Sequence, residues 1–374
     1  MQPAPPPLTL PRPAPRPVLA MGAFLKNRAC LLEHDQVHWS PMHGDLATPE
    51  ACAALAGSAS QLLHRAGRPV AAIAHDLHPD FPSTRLALSL AQQLGVPAHA
   101  VQHHHAHLGV VMAEQGCAAQ RCPGGPVFGL ALDGVGLGSD GTAWGGELLA
   151  ATAQGFVRLA HLAPLALPGG DAAAREPWRV AASVLQRAGR GDQIMPRLGA
   201  LAGERLARGV ALLLARGSHC PTSSSAGRWF DAAAAALGLA PARQAEAEAA
   251  IALEQAATAW LEVHPMPGLP APTLDLYPLV ATLFDEADTG RGAALFHGAL
   301  AAGLVDAARG AGARHLVLGG GCFHNRLLSR LVAEAAAAAG ITTERPRAVD
   351  CGDAGLALGQ AWLAAHAASD SGAS

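Results

Sequence analysis

The stretch Val101-Gln102-His103-His104-His105-Ala106-His107 opens a run of helical character that continues to residue 115, and it follows an apolar, strand-like segment at residues 70–75. On a helix, His103 and His107 lie one turn apart on the same face, so two imidazoles can approach one cation without distorting the backbone. A histidine pair at this spacing is also common on solvated surfaces and in satisfied cores. The pair therefore predicts a metal site only if acidic partners come from elsewhere in the chain.

Two aspartates qualify as such partners, because each lies in a glycine-rich segment after an apolar run. Asp133 lies in Leu130-Ala131-Leu132-Asp133-Gly134-Val135-Gly136, and Asp353 lies in Cys351-Gly352-Asp353-Ala354-Gly355. Imidazole and carboxylate together suit a divalent metal, and Fe, Zn and Mn are all compatible with such a set. Asp353 also precedes a predicted helix at residues 354–365, so an N-cap with no further role is the alternative interpretation.

The composition describes a large protein with little charge. The chain has 374 residues, of which 15% are charged and half are hydrophobic, and its formal net charge is −3. This length favours two lobes over one domain. The acidic balance and the absence of a dense Lys/Arg run argue against a nucleic-acid partner, and an aromatic share of 4% argues against base-stacking surfaces.

Cysteine usage and hydropathy bear on location. The cysteines are scattered and include no C-x-x-C pair, which predicts neither a disulfide framework nor a zinc finger and favours the cytoplasm: Cys30, Cys52, Cys117, Cys122, Cys220, Cys322 and Cys351. No apolar run approaches the roughly 18 residues of a membrane span, and the N-terminus does not resemble a signal peptide. Residues 1–17 are rich in proline and predict a disordered, extended tail.

Hydrophobic periodicity predicts strands that alternate with helices. Strands are predicted at residues 18–23, 30–33, 70–75, 127–132, 144–150 and 315–318, and helices at 48–65, 83–94, 175–187, 197–215, 229–237, 246–263, 293–309, 326–339 and 354–365. The helices between residues 175 and 263 form a helix-rich insertion in the second half. Lys26 lies in the polar turn between the first two strands, where it could reach an anionic ligand or simply be solvated.

Two glycine-rich segments predict close approach of the backbone to an anion. Residues 133–141, which include Gly134 and Gly136, are expected to form a turn between two strands. Residues 319–325, which include Gly320 and Gly321, link a strand to a helix N-terminus, where free N–H groups and the helix dipole favour phosphate. Neither segment has the spacing of a dinucleotide fingerprint or a P-loop.

These pieces resemble the architecture of actin, sugar kinases and heat-shock chaperone ATPases, in which two RNase H-like lobes enclose a nucleotide. The expected fold is therefore α/β with two such lobes and a helix-rich insertion in the second lobe. The predicted first lobe covers residues 18–150 and is joined by the last helix, 353–365, and the second lobe covers 151–350. Six segments then resemble the C-terminal transferase module of the HypF family of hydrogenase-maturation carbamoyltransferases: residues 76–85, 102–107, 133–147, 167–178, 224–238 and 320–325. The more remote tRNA threonylcarbamoyladenosine transferases share H-x-x-x-H and the late aspartate.

The HypF resemblance implies a role for each matching residue. The metal between the lobes would be held by His103, His107, Asp133 and Asp353. The nucleotide would be cradled by Gly134, Gly136, Gly170, Gly320, Gly321 and Asn325, with Asp231 and Glu246 near its ribose. Lys26 would lie near the transferred group, so the catalytic set would be Lys26, His103, His107 and Asp133.

The same resemblance implies the reaction and its partners. A carbamoyl-adenylate, made from carbamoyl phosphate and ATP with Mg, would donate its carbamoyl group to the C-terminal cysteine of a HypE-like protein. HypE would then dehydrate the product to give the cyanide ligand of [NiFe]-hydrogenase. A metal held by two histidines and two aspartates can polarise the carbamoyl oxygen while the partner's thiolate attacks, so no nucleophile from this chain is needed.

Several positions depart from the family pattern, and two other functions stay open. Val135, His324, Gly319 and Phe24 stand where the family usually has threonine, glutamine, serine and glutamate. The sequence also offers no match to the acylphosphatase-like, zinc-finger and adenylate-forming domains of full-length relatives. The adenylate could accordingly be made here or received from another protein. The alternatives are a degenerate scaffold that binds HypE or nucleotide, and a tRNA threonylcarbamoyladenosine transferase.

Overall fold

A computed structural model describes residues 2–116, 125–240 and 247–367. The first of its two sheets contains the six N-terminal strands. The strands are β1 (Leu8–Thr9), β2 (Val18–Ala20), β3 (Cys30–Glu33), β4 (Gln36–Trp39), β5 (Ala72–Asp76) and β6 (Ala98–Val101). They lie in the order β1-β4-β3-β2-β5-β6. The pairs β2–β3 and β3–β4 are antiparallel, whereas β2–β5 and β5–β6 are parallel. The helices of this part are α1 (Pro49–Arg65), α2 (Pro82–Leu94) and α3 (His103–Gln115).

The second sheet repeats the same connectivity. Its strands are β7 (Val127–Leu137), β8 (Ala143–Ala151), β9 (Phe156–His161), β10 (Leu165–Ala166), β11 (Thr222–Ser223), β12 (His315–Gly319) and β13 (Thr342–Glu344). Three antiparallel strands, β9-β8-β7, continue into two parallel strands, β12 and β13, as β4-β3-β2 continue into β5 and β6. Two sheets of this RNase H-like order confirm the predicted fold class.

Most of the helices belong to the second lobe. Those before β12 are α4 (Asp171–Arg175), α5 (Pro177–Arg187), α6 (Ile194–Ala202), α7 (Glu204–Arg216), α8 (Ala226–Ala236), α9 (Glu248–Leu261), α10 (Tyr277–Leu283) and α11 (Thr289–Gly310). The helices after β12 are α12 (Arg326–Ala338) and α13 (Asp353–His366). Their apolar faces bury a large core around Trp178, Trp229, Phe230 and Phe296, which confirms the helix-rich insertion.

The two lobes exchange helices. Helix α3 follows the first sheet in the chain but packs on β7 and β12 of the second, while α13 packs on β2 and β5 of the first. The two helices cross at glycines: a Cβ added at Gly359 of α13 would lie 1.9 Å from the main-chain oxygen of Ala106 in α3. This close crossing brings the first residues of both helices, His103 and Asp353, to the junction of the lobes.

The sheets divide the chain differently from the boundary expected after residue 150. Strands β7 and β8 pair with each other and with β12, so the second sheet begins at Val127. Helix α13 packs against the first sheet although it is the last described element. Pairing of β7 with β12, which is remote in sequence, fixes this division, and local sequence patterns do not report it.

The prediction of a disordered tail at residues 1–17 was wrong for the residues that the structure describes. Strand β1 pairs with β4, and the N–H groups of Leu10 and Ala14 donate to the main-chain oxygens of Asp35 and His34, both at 2.7 Å. The guanidinium of Arg16 donates to the last turn of α13. Proline is compatible with an edge strand, because the missing N–H groups there need no partner.

A buried hydrogen-bond network fixes the turn that carries Lys26. The side-chain oxygen of Asn27 accepts from His43 Nδ1, 2.8 Å away, and His43 Nε2 accepts from the Ser58 hydroxyl, also at 2.8 Å. Asn27 in turn donates to the main-chain oxygens of Met21 and Ala23. The network leaves His43 neutral, and burial lowers its pKa to about 4.

The lowered pKa of His43 predicts that the folded chain loses stability in acid. The unfolded chain binds a proton at His43 below pH 6.5, whereas the folded chain does so only near pH 4, so the stabilisation is complete above pH 6.5 and falls as the pH drops. We expect the free energy of unfolding, measured by urea titration, to fall by about 1–2 kcal/mol between pH 7 and pH 5 through this group. His43→Gln should flatten that slope, and an unchanged slope in the variant would contradict the assignment.

Candidate metal centre

Two imidazoles meet nearly at right angles in the first turn of α3. The helix begins at His103 because the Gln102 side chain caps it, accepting from the N–H of His105. His103 and His107 are one turn apart as predicted, and both are buried, with their Nε2 atoms 3.2 Å apart. Their shared face points to the junction of the lobes rather than to solvent.

Two carboxylates complete the group from two further elements. Asp133 lies in β7, where the register with β8 shifts between Leu132 and Gly136, and its Oδ2 is 3.1 Å from His103 Nε2 and 3.5 Å from His107 Nε2. Asp353 is the first residue of α13, and its Oδ1 is 3.4 and 3.6 Å from the same two nitrogens. The structure therefore brings together the four residues that the sequence singled out.

The two imidazole nitrogens lie at coordination spacing from each other and from both carboxylate oxygens. The four ligand atoms all lie within 4.8 Å of one another, and the nitrogen–oxygen distances are 3.1–3.6 Å. Ligands about 2.0–2.2 Å from a metal in tetrahedral or similar geometry are themselves roughly 3.0–3.6 Å apart. Two nitrogens and two carboxylate oxygens form a donor set for Fe, Zn or Mn.

The charges of the site favour a cation. Burial disfavours protonation of His103, but the carboxylates of Asp353, Asp76 and Asp133 outweigh burial and hold its pKa well above the ordinary value. Burial likewise opposes ionisation of Asp133, but hydrogen bonds from His103 and His107 keep its pKa well below the ordinary value. A buried concentration of negative charge therefore attracts a proton when no metal is bound, and a metal would compete with that proton.

Asp133 is held in place by Ser225, which the sequence patterns did not single out, and by Gly321, which they did. The hydroxyl of Ser225 lies 2.9 Å from the main-chain oxygen of Asp133 and 2.6 Å from that of Gly134, and it also caps α8. The main-chain N–H of Gly321 donates to Asp133 Oδ1 at 3.2 Å, which leaves Oδ2 for the histidines. A serine shortly before a predicted helix is a typical N-cap, and this is the one local signal that could have indicated Ser225, although nothing local indicates its partner.

The glycine segment at Asp133 is not the turn that was predicted. Residues 133–137 continue strand β7 through an irregular register, and the hairpin turn comes only after Leu137. A Cβ added at Gly136 would lie 2.7 Å from the His104 ring and 2.8 Å from the His103 ring, whereas Gly134 has no neighbour within 4 Å. The glycine at 136 is required by the imidazoles packed against it.

This difference predicts unequal effects of two alanine substitutions. Gly136→Ala is expected to displace the His103 ring and weaken Zn²⁺ binding roughly 10-fold or more, the range typical when support for a metal ligand is lost. Gly134→Ala is the matched control and should leave Zn²⁺ affinity within about twofold, since its Cβ meets open space. Equal affinities of the two variants in a calorimetric titration would contradict this packing.

The loop predicted to cradle a nucleotide lies directly beside Asp133. Gly320 has φ +102°, and a Cβ there would lie 2.3 Å from the main-chain oxygen of Leu132, so only glycine fits. Asn325 uses its side-chain oxygen to cap α12 through the N–H of Leu328, and its amide donates to His297 Nε2 at 3.0 Å. The asparagine thus has a structural task beside its predicted contact with nucleotide.

The other predicted binding residues have varied surroundings. Asp231 is buried, with its carboxylate 2.8 Å from the Arg228 guanidinium, and Gly170 lies in the turn before α4. Glu246 lies outside the described residues. Lys26 is exposed, and its backbone has a positive φ of +44°. Its main-chain N–H donates to Asp45 Oδ1. Burial raises the pKa of Asp350, but a hydrogen bond from His324 and, more weakly, the charge of Lys26 outweigh burial and lower it.

Two RNase H-like lobes with a histidine–aspartate cluster at their junction define a class of two-lobed α/β proteins with a candidate metal site between the lobes. One family model, described as "HypF Kae1-like domain", matches residues 13–114, and another, described as "Carbamoyltransferase, Kae1-like Domain, second subdomain", matches residues 129–360. The chain belongs to the HypF carbamoyltransferase family. The predicted family and enzyme class are thereby confirmed.

Relatives and solved structures support the assignment along the whole chain. A "Carbamoyltransferase HypF homolog" of Cupriavidus necator is 55% identical over 367 residues, which cover 94% of this chain and 92% of that protein. The "Carbamoyltransferase HypF" of Rhodobacter capsulatus is 40% identical over 96% of this chain, but only 48% of its own length is matched. The crystal structure titled "T.kodakarensis HypF" has a TM-score of 0.84 and 29% identity over 96% of this chain and 48% of that one. The chain thus spans about half the length of these last two proteins.

Proposed function

We propose that the chain transfers a carbamoyl group in [NiFe]-hydrogenase maturation, from a carbamoyl-adenylate to the C-terminal cysteine of a HypE-like protein. The observation that carries the proposal is the cluster of His103, His107, Asp133 and Asp353, whose ligand atoms lie within 4.8 Å of one another beside the Gly320 loop. Membership of the HypF carbamoyltransferase family supplies the chemistry that such a cluster would serve.

The proposed nucleotide site lies around the Gly320 loop. A relative solved as "full-length HypF in the phosphate- and nucleotide-bound form" has a TM-score of 0.80 and 28% identity to this chain. We infer that ATP, with Mg, and carbamoyl phosphate bind near Gly134, Gly136, Gly170, Gly320, Gly321 and Asn325, with Asp231 and Glu246 toward the ribose. The exposed Lys26 would pair with a phosphate or carbamoyl oxygen.

In this proposal the residues of the chain bind and orient the reactants, and none of them forms a covalent intermediate. A cation held by the two histidines and two aspartates would supply a Lewis acid for the carbamoyl oxygen. The partner's thiolate attacks the carbamoyl carbon, a C–S bond forms, the bond from that carbon to the adenylate oxygen breaks, and AMP leaves. Cys322 stays a thiol, because burial and then the nearby Asp133 raise its pKa well above the ordinary value, which makes it unsuited as a competing nucleophile.

We place the proposed reaction in the cytoplasm with protein and small-molecule partners. No described helix combines the length and apolarity needed to cross a bilayer. The net charge of −3 argues against a tRNA substrate, which would require a basic surface with a steep salt dependence of binding. The favoured acceptor is therefore a HypE-like protein with a C-terminal cysteine. No nucleic-acid partner is proposed.

The test is an assay of the purified chain for carbamoyl phosphate-dependent ATP turnover, with and without HypE, after elemental analysis of the bound metal. Turnover would support a module that activates its own donor. Metal binding without turnover would require a second assay with supplied carbamoyl-adenylate. If HypE is not carbamoylated even then, the proposed transferase is wrong and the scaffold interpretation replaces it.

A further inference from the structure

We propose that Asp76 is a positioning residue for the metal centre, one that fixes the tautomer of His103 and strengthens its hold on the cation. This inference rests on the metal centre in the proposed function. Asp76 is the last residue of β5 and is 1% exposed. It contacts Nδ1 of His103, whereas Nε2 of the same ring faces the other three ligands.

Each oxygen of the Asp76 carboxylate has a hydrogen-bond partner. Its Oδ2 is 2.8 Å from His103 Nδ1, and its Oδ1 accepts from the N–H of His78 at 2.9 Å. The hydroxyl of Thr84 donates to the main-chain oxygen of Asp76 at 3.2 Å. Since both carboxylate oxygens have partners, Asp76 cannot turn to become a fifth ligand without breaking two hydrogen bonds.

This contact determines which nitrogen of His103 faces the cluster. In the neutral form of His103, which is the form that binds a metal, the single proton would reside on Nδ1 because an ionised carboxylate only accepts, and the lone pair of Nε2 would be left for the cation. His107 differs, because its Nδ1 is buried and has no hydrogen-bond partner among the described residues. The protein therefore fixes the tautomer of one of the two histidines through a dedicated carboxylate.

The negative charge of Asp76 also affects the metal centre through the His103 ring. A carboxylate bonded to the far nitrogen of a metal-binding imidazole makes the near nitrogen a stronger donor and holds the ring in its orientation. Asp76 comes from the first sheet, whereas Asp133 comes from the second. Only an indirect sequence pattern indicates Asp76, an aspartate at the carboxyl end of an apolar strand in an α/β sheet.

The experiment is a calorimetric titration of the purified full chain with Zn²⁺, for wild type, Asp76→Ala and Asp76→Asn. Affinity should fall about 10- to 100-fold in Asp76→Ala, with Asp76→Asn between it and wild type because an amide oxygen still accepts but carries no charge. Thr84→Val is the control, because it removes only the bond to the main-chain oxygen of Asp76, leaves both carboxylate bonds intact and should leave affinity within about twofold. In ¹⁵N NMR spectra of the Zn²⁺-loaded protein, the Nδ1 proton of His103 should be protected in wild type and exchange with solvent in Asp76→Ala.

The inference would be overturned if folded Asp76→Ala and Asp76→Asn bound Zn²⁺ within about twofold of the wild-type affinity. Loss of support for a metal ligand typically lowers metal affinity about 10- to 100-fold. If Asp76→Ala does not fold, the isosteric Asp76→Asn decides on the same threshold. A wild-type chain that binds neither Zn²⁺, Fe²⁺ nor Mn²⁺ would overturn both the metal centre and the inference. Metal binding without carbamoyl transfer would instead overturn only the proposed reaction.

Discussion

His107→Ala is expected to weaken metal binding strongly and abolish carbamoyl transfer while the chain stays folded. His107 Nε2 lies 3.2 to 3.6 Å from the other three ligand atoms, so its loss leaves three protein ligands, with water as a weaker fourth. A Lewis acid contributes several kcal/mol to such a transition state, so we expect thiocarboxamide formation on HypE to fall roughly 1000-fold or more. Metal content by elemental analysis and acceptor mass by mass spectrometry measure the two effects together.

The matched control is a histidine on the same helix that lies outside the cluster. His105 Nε2 is 2.8 Å from the main-chain oxygen of Thr152, and glutamine can replace that donor. His105→Gln should therefore keep both metal and activity. Normal metal content and activity in folded His107→Ala would show that the cluster is not the catalytic metal site.

Gly359→Ala is expected to separate the lobes, although it adds only one methyl group. The added Cβ would lie 1.9 Å from the main-chain oxygen of Ala106 and 3.0 Å from the main-chain nitrogen of Val110, and neither backbone atom can rotate away. Helices α3 and α13 would have to move apart, at about 3 kcal/mol of folding free energy by analogy with overpacked cores. Because these helices carry His103 and Asp353, we also expect metal affinity to fall.

A solvent-facing helix glycine provides the comparison. Gly209 lies in α7 with no neighbour within 4 Å of a Cβ, so Gly209→Ala should raise the free energy of unfolding by about 0.5–1 kcal/mol through helix propensity alone. Urea unfolding of both variants, read with and without Zn²⁺, measures the difference. A Gly359→Ala chain as stable as wild type would mean that the two helices do not cross as closely as described.

Local patterns predicted much of this fold because the elements themselves are locally encoded. The glycine turn before residue 353 placed Asp353 at the start of α13, and the i, i+4 spacing placed His103 and His107 on one face of α3. The family resemblance then selected the same four residues that the structure brings together. Their role as metal ligands stays a prediction until a metal is measured.

Pairings between distant segments could not be predicted in the same way. The register shift that lets β7 run through Asp133 depends on β8, and the order of β1 in the first sheet depends on β4. Asp76 and Ser225 act on ligands 27 and 92 residues away, through hydrogen bonds that no local pattern reports. Asn325, expected to contact nucleotide, was found to cap α12 because its side chain meets the N–H of Leu328.

The most direct test of the account is the intact mass of a HypE-like acceptor after incubation with this chain, carbamoyl phosphate, ATP and metal, repeated with carbamoyl-adenylate supplied. We expect a mass gain of one carbamoyl group on the C-terminal cysteine that disappears when the metal is chelated or His107 is replaced. An acceptor whose mass is unchanged with either donor, in the presence of a metal-loaded chain, would contradict it.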